Sequence, residues 1–329
     1  MLIVGTVIGA GFASGAEIAS FFGVSAINPI NALFCALLTF GGCALFLFLG
    51  SRFKPKDIGG LNGLVVGKAR PVLDGFLLMN SLIVLAGMLA AFDSMGKAVV
   101  GFPMFSLLFG VLAAIIVTRG IGGLIKLNTV VLPGVIVILI VVCAMSINGG
   151  AVQFDFLSVR PLTSVVYVSM NLILAAGALI SVRDLKPKEI LCSSGIAAFI
   201  IGVLMCLIIL ALNSADFTSA LPTLDMAKAI NPVLFFLAAI SMSASIFTTL
   251  LTAMNCLTDY AAGIVKSRPL AAFCVLAVGL MLSVLGFERV VGALYPVIGG
   301  LGVAYVLLNI IFFIRTRRRP VRRLKGTMR

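Results

Sequence analysis

Neither histidine nor tryptophan occurs anywhere in the 329 residues. Without histidine there is no imidazole base and no imidazole metal ligand, which excludes histidine-based catalysis and histidine metal sites. Without tryptophan, an aromatic belt at a membrane–water interface falls to tyrosine and phenylalanine. Charge is scarce too: Asp, Glu, Lys and Arg make up 11% of the chain, against about 25% in soluble domains, so a water-facing exterior is excluded. No G-x-x-x-x-G-K-[ST] run is present, which argues against a nucleotide-driven pump. Carboxylates do not cluster, which argues against an enzyme. The seven cysteines (Cys35, Cys43, Cys143, Cys192, Cys206, Cys256 and Cys274) lie singly in apolar runs without metal spacing and read as small buried hydrophobes.

What the chain has is apolar length. Runs near the 20 residues needed to cross a bilayer fall at roughly 2–23, 28–50, 73–96, 102–119, 121–147, 163–183, 189–213, 230–258, 268–286 and 289–314. We call these segments 1 to 10. Pro55, Gly59-Gly60, Pro103, Gly120, Gly149-Gly150, Pro161, Pro187, Pro222 and Pro269 punctuate them. Segment 1 lacks the basic n-region of a signal peptide, and glycine interrupts its apolar run. Only eight residues precede Gly9, about 12 Å of helix. We therefore expect either a start upstream of Met1 or a short inner half.

The net charge of +13 is concentrated where membrane orientation demands it. Eight of the 24 Lys and Arg residues lie between Arg315 and Arg329, suited to anionic lipid headgroups. No folded nucleic-acid module or aromatic interleaving accompanies them, so nucleic acid is excluded as a partner. With the amino terminus placed in the cytoplasm, 20 of the 24 fall in cytoplasmic connections. Only Lys97, Arg160, Lys228 and Arg289 fall outside. The bias predicts ten spans with both termini inside, and the bilayer as partner.

Segment 1 carries Gly5, Gly9, Gly11 and Gly15 with an acid, Glu17, directly after them. Broken helix survives in hydrocarbon only where it is buried or lines a cavity, and in secondary transporters such a break holds substrate and ion. Gly5-x3-Gly9 and Gly11-x3-Gly15 also fit close helix packing. Gly9-Ala10-Gly11 has a counterpart in Ala175-Ala176-Gly177 of segment 6, at an offset of 166 residues that also maps segments 4 and 5 onto segments 9 and 10. Five helices per half make the halves opposite in orientation. The expected fold is an all-α integral membrane protein of ten transmembrane helices, a 5+5 inverted repeat with segments 1 and 6 broken. Residues 1–148 form the first repeat, 149–162 an outer loop, 163–314 the second repeat and 315–329 a basic cytoplasmic tail.

The run Gly5-Thr6-Val7-Ile8-Gly9-Ala10-Gly11-Phe12-Ala13-Ser14-Gly15-Ala16-Glu17-Ile18, followed by Phe21-Phe22, resembles the opening of YkvI-type bacterial membrane proteins. These belong to the amino acid–polyamine–organocation superfamily with the leucine-transporter fold; Ala16 departs from the glutamine expected before the acid. The resemblance implies a bacterial cytoplasmic (inner) membrane protein, with substrate between segments 1, 3, 6 and 8 and a cation site between 1 and 8. Free N–H groups in an unwound Gly9–Ser14 stretch suit a carboxylate. The expected substrate-binding residues are Gly9, Ala10, Gly11, Phe12, Ala13, Ser14, Asn171, Ala175, Ala176 and Gly177, with Tyr167, Asn80, Ser81 and Ala86-Gly87 as further cavity wall. Thr248 and Thr249, within a polar run to Asn255, resemble the superfamily's paired hydroxyls and would suit Na+, a hard cation. Lys126 stands near where some superfamily members place a lysine instead of sodium; snorkelling to the interface is its plainer role. Glu17 serves either gating and proton coupling or local structure. Asp259 is expected to pair with Lys266 or to face the cytoplasmic surface.

These features predict a secondary active transporter of a small polar organic solute, an amino acid or related amine, coupled to Na+ or H+. No cofactor other than Na+ is expected. The alternative is a ligand-sensing receptor subunit of the same fold without net transport, whose partner subunits this chain would not display. A cysteine introduced between residues 149 and 158 should react with an impermeant maleimide from outside intact cells; labelling only after the cytoplasmic face is exposed would reverse the topology.

Overall fold

The structure is a computed structural model that describes residues 4–5, 9–23, 27–119, 124–147, 159–214 and 219–316, without the side chains of Ala10 and of 124–129. The central part of the expected outer loop and residues 317–329 of the basic tail lie outside the described residues. Every regular element described is helical. Among the described residues, six helices are long and apolar enough to cross a membrane: Ile30–Phe53, Ile58–Val100 taken with its connector, Pro161–Ser181, Pro187–Asn213, Pro232–Val265 and Phe287–Thr316. Phe105–Thr118, Leu124–Ser146 and Arg268–Ser283 occupy segments 4, 5 and 9. The 14 residues of the first rise only about 21 Å, short of the hydrocarbon core.

The punctuation acts where the sequence places it. Pro161, Pro187, Pro222 and Pro232 stand in the first turns of their helices, where a missing N–H costs nothing. The Asn231 side chain caps segment 8 by accepting from Leu234 N–H at 2.8 Å. Asp57 caps the connector helix Ile58–Val66 by accepting from Gly60 N–H at 2.7 Å. The connector is anchored further: Asn62 donates to Asp74 at 2.8 Å and accepts from the Tyr305 hydroxyl at 3.1 Å. Pro222 does more than break the chain, since it opens a helix, Pro222–Ile230, at the start of segment 8.

Large apolar side chains such as Val130, Leu162, Met281 and Val284 are exposed, while Asn31, Asn62, Asn80, Asn171 and Asn309 are buried. An apolar shell around a partly polar interior suits hydrocarbon as solvent. Segment 2 packs on segments 6 and 7, segment 3 on segment 8, segment 4 on segment 9, and segment 10 on segment 6. The N-terminal part of segment 3 meets the C-terminal part of segment 8, where Ser81 donates to Cys256 Sγ at 3.6 Å. The connector and the helix Pro222–Ile230 therefore lie at opposite ends of the bundle.

Two expectations about breaks need correction. Segment 6 is one uninterrupted helix, Pro161–Ser181, through Ala175–Gly177. Alanine is the best helix former and a single glycine costs only about 1 kcal/mol, so two alanines before Gly177 sustain the helix. Segment 1 is interrupted, but not as an open Gly9–Ser14 stretch. Gly9 is non-helical, Ala10–Ala13 forms one helical turn, and the chain breaks at Ser14–Gly15 before resuming as Ala16–Phe22. Gly15 takes φ +74°, a left-handed conformation that glycine adopts without the Cβ clash of other residues.

Close helix approach explains another glycine. A Cβ on Gly50 would sit 2.7 Å from the Cα and carbonyl oxygen of Ile180, whereas one on Gly41 would meet nothing within 4 Å. Gly50→Ala should lower the apparent melting temperature in detergent by several degrees, reflecting about 1–3 kcal/mol of overpacking. Gly41→Ala should leave it unchanged or raise it, because alanine is the better helix former.

Candidate functional site

The break in segment 1 is held by its own polar groups. Ala13 N–H donates to Gly9 O and Gly15 N–H to Phe12 O, both at 3.0 Å. The Ser14 hydroxyl donates to Gly11 O at 3.0 Å and accepts from Ala16 N–H at 3.3 Å. Ser14 O in turn accepts from Thr223 N–H at 3.0 Å, which fastens the helix Pro222–Ile230 over the break. Phe21 and Phe22 pack edge-on against Tyr167 nearby. The Ser20 hydroxyl donates to Val291 O at 3.3 Å, within a π-helical turn, Val290–Leu294, at the start of segment 10. Such turns recur at functional sites.

On the other side of the break lies a cavity of about 420 Å³, built from segments 1, 3, 6, 8 and 10. Glu17, Gly9, Gly11, Asn171 and Tyr295 line its deep part; Ile58 of the connector and Asn255, Cys256 and Asp259 of segment 8 line its mouth. Cys256 and Asp259 are exposed, so the cavity opens toward the connector. At that mouth Arg268 donates to Asp259 at 2.5 Å, to the Asn255 side chain at 2.8 Å and to Val117 O at 3.0 Å. Asp259 thus pairs with Arg268 rather than with Lys266, because Arg268 opens segment 9 directly opposite that turn of segment 8.

Glu17 is 4% exposed, and its Oε2 has no hydrogen-bond partner. Its side chain folds back over Gly11, so that a Cβ at Gly11 would collide with the Glu17 Oε1, Cδ and Cγ atoms. Gly11 has helical backbone, and what requires glycine there is the acid lying on it. Asn171 is the polar neighbour of the carboxyl. Among the described residues, ion pairs join Lys54 to Asp184, Arg70 to Asp74 and Arg268 to Asp259, and none involves Glu17.

Of the expected substrate residues, Gly9, Gly11, Asn171 and Gly177 line the cavity, with Asn80 and Ser81. Phe12, Ala13 and Ser14 are buried in the packing around the break instead, as is Tyr167, and Ala175 and Ala176 are fully buried. In an unbroken segment 6 those two alanines lie on the turn facing away from the opening, and Gly87 packs against Val290 and Tyr295. The Ala10 side chain lies outside the described residues. Thr249 lines the cavity, with its hydroxyl 3.8 Å from where a Gly9 Cβ would stand. Thr248 is buried beside it, and both hydroxyls donate to Ser245 O at 3.0 Å. Lys126 falls in the helix Leu124–Ser146, with its side chain outside the described residues. Sequence reasoning missed Tyr295 as part of the cavity wall; Thr252, which belongs to the polar run of segment 8, lines the cavity as well.

No family model matches the chain. The uncharacterized membrane protein YkvI of Bacillus subtilis (strain 168) is 26% identical over 334 aligned residues, covering 92% of each chain. The resemblance runs the length of the chain. Among solved structures, MhsT in complex with L-phenylalanine superposes with a TM-score of 0.67 at 13% identity, covering 100% of this chain and 97% of that one. Mhp1, a nucleobase-cation-symport-1 family transporter, gives 0.52 at 13% identity, covering 98% and 79%. A manganese transporter of Eremococcus coleocola gives 0.53 at 14% identity, covering 94% and 84%. This is a membrane protein with the leucine-transporter fold, and neither YkvI nor these structural neighbours is described as an enzyme.

The contact between Gly11 and Glu17 is testable by a double-mutant cycle. Gly11→Ala should destabilise the wild type but be tolerated in a Glu17→Ala background, with a coupling of about 1–3 kcal/mol read from detergent or thermal unfolding. Additive effects would mean that Glu17 does not rest on Gly11.

Proposed function

We propose that this chain is a secondary active transporter of a small polar organic solute, an amino acid or related amine. The observation that carries this reading is the cavity: it ends at a broken, hydrogen-bonded stretch of segment 1, is closed at the Pro222–Ile230 end and is open at the connector end. A site reached from one side only, beside a break deep in the bundle, is what alternating access requires. Placing the connector in the cytoplasm, as the basic residues favour, makes this the inward-open form, with both termini in the cytoplasm and all ten segments crossing the bacterial cytoplasmic membrane.

The five-plus-five division belongs to the same reading. Exchanging segments 1–5 with 6–10 turns the pairs 2–7, 3–8 and 4–9 into themselves and 3–4 into 8–9, all of which are packed pairs. Residues 1–148 and 163–314 are the proposed repeats, joined by 149–162 and followed by the basic tail 315–329.

For the coupling ion we favour Na+ at Thr248 and Thr249 against the segment 1 backbone, supported by the approach of Thr249 to Gly9. Each hydroxyl that donates to Ser245 O keeps lone pairs for a cation. Proton coupling through Glu17 or Lys126 is the competing arrangement. Uptake of a labelled solute panel into proteoliposomes, under separate Na+ and H+ gradients, tests the function. Binding without gradient-driven flux would instead indicate a receptor subunit. In wild-type vesicles flux should require Na+. Thr249→Val should raise the Na+ concentration for half-maximal flux about tenfold, as expected when one of a handful of oxygen ligands is lost. A sodium-independent wild type with an active Thr249→Val would rule out this site.

A further inference from the structure

We infer that the cavity selects an organic ammonium ion lacking a carboxylate, with Glu17 as the anchor for its charge. The inference rests on the reading of the cavity as a solute site and narrows the solute to one class.

Three observations carry it. First, Glu17 is a carboxyl more than nine-tenths buried, facing the cavity, with one oxygen unpartnered and no basic side chain beside it. An acid in that setting is the natural counter-charge for a cation that arrives from outside the fold. Among the described residues no Lys or Arg lines the cavity. Arg268, which bonds the lining residues Asn255 and Asp259 at the mouth, is committed to them and to Val117 O.

Second, several of the backbone donors at the break, where a solute carboxylate would dock, are already engaged. The N–H groups of Ala13, Gly15 and Ala16 donate to Gly9 O, Phe12 O and Ser14 Oγ, and Thr223 N–H is committed to Ser14 O. The face of Gly11 where a side chain would stand is covered by the Glu17 carboxyl itself. A zwitterionic amino acid would set a second carboxylate against the first in a low-dielectric pocket, where like charges repel strongly. An amine without that group meets only the attraction.

Third, the rest of the wall suits an alkyl or aryl ammonium better than a metal ion. Asn171, Asn80 and the Tyr295 hydroxyl offer neutral acceptors for N–H donors, and Val84, Met88, Ile173 and Leu174 offer apolar surface for a short tail. Among the described residues no group of three acidic, cysteine or histidine side chains could hold a metal. A single carboxylate with neutral acceptors matches an ammonium, which needs one counter-charge and up to three hydrogen bonds.

The test is a matched-pair binding measurement on the full chain in lipid nanodiscs. Phenethylamine is compared with phenylalanine, isoamylamine with leucine, and cadaverine with lysine, each pair differing only by a carboxylate. At least one amine should bind about tenfold or more tightly than its amino acid, the fold-change expected when a charge-assisted hydrogen bond replaces a repulsion. Glu17→Gln should weaken that amine by a similar factor, and Glu17→Asp should retain part of the affinity. An amino acid that binds as tightly as its amine, an amine affinity unchanged in Glu17→Gln, or no binding by any amine overturns the inference. If Glu17→Gln does not fold, the wild-type pairs decide alone. Flux separates the two readings: an amine that binds but is never transported removes the transporter and keeps the ammonium site. Gradient-driven flux of an amino acid in preference to its amine keeps the transporter and removes the ammonium site.

Discussion

Hydrocarbon offers no hydrogen bonds, so a helix interrupted within it must find partners for every backbone group that the interruption frees. At Ser14–Gly15 those partners are local and few: the Ser14 hydroxyl bridges the two helical pieces, Gly15 turns the chain, and Thr223 supplies the N–H that Ser14 O needs. Much of the site follows from that repair. Thr223 can reach Ser14 only if the helix Pro222–Ile230 lies across the end of segment 1, and that helix closes one end of the bundle. Turning the chain at Gly15 brings Glu17 back over Gly11, which places a carboxyl at the blind end of the cavity.

Polar atoms in the interior are otherwise placed where helices must be fixed relative to one another. Asn62 joins the connector to segments 3 and 10 through Asp74 and Tyr305, so the mouth of the cavity has a rigid rim on one side. The Arg268 cluster supplies the other rim by tying segments 4, 8 and 9 together. Lys54 and Asp184, both with left-handed backbone, form an ion pair at the connector end. Both side chains are largely exposed, so the pair contributes little to stability.

How much of this was readable in the sequence depended on whether the signal was local. Apolar length is summed over many residues, and prolines act on their own helix, so the described helices and their order match the apolar runs closely. The glycines of segment 1 marked a break, but which one takes the turn depends on φ, and four glycines in one run leave that open; Gly15 carries it. In segment 6 the resemblance between Ala175-Ala176-Gly177 and Gly9-Ala10-Gly11 misled, because alanine shares glycine's size but not its backbone freedom. Size governs packing and freedom governs breaking; the repeat preserved only the first. Tyr295 escaped notice for a different reason: its immediate neighbours are apolar, and it lines the cavity directly after the π-helical turn Val290–Leu294, which nothing in those neighbours marks.

On the proposed reading, that asymmetry between segments 1 and 6 bears on how the site would change sides. Two broken helices facing each other would each contribute a flexible midpoint. Here segment 6 is uninterrupted through its middle, and its non-helical backbone begins only after Ser181, leading through Asp184 to Pro187. Segment 1 has its irregular backbone at Gly9 and Ser14–Gly15, beside the cavity. In the proposed transporter, a rocking motion would find irregular backbone on one side of the cavity and an uninterrupted helix on the other, with Asn171 on the helical side and Glu17 beside the break. On the proposed reading, a charge bound at Glu17 would sit on the piece beyond the break, whereas a hydrogen bond to Asn171 would tie the solute to the uninterrupted helix. Occupancy would then act on the position of the Ala16–Phe22 helix directly, because the proposed anchor for the charge, Glu17, lies in its first turn.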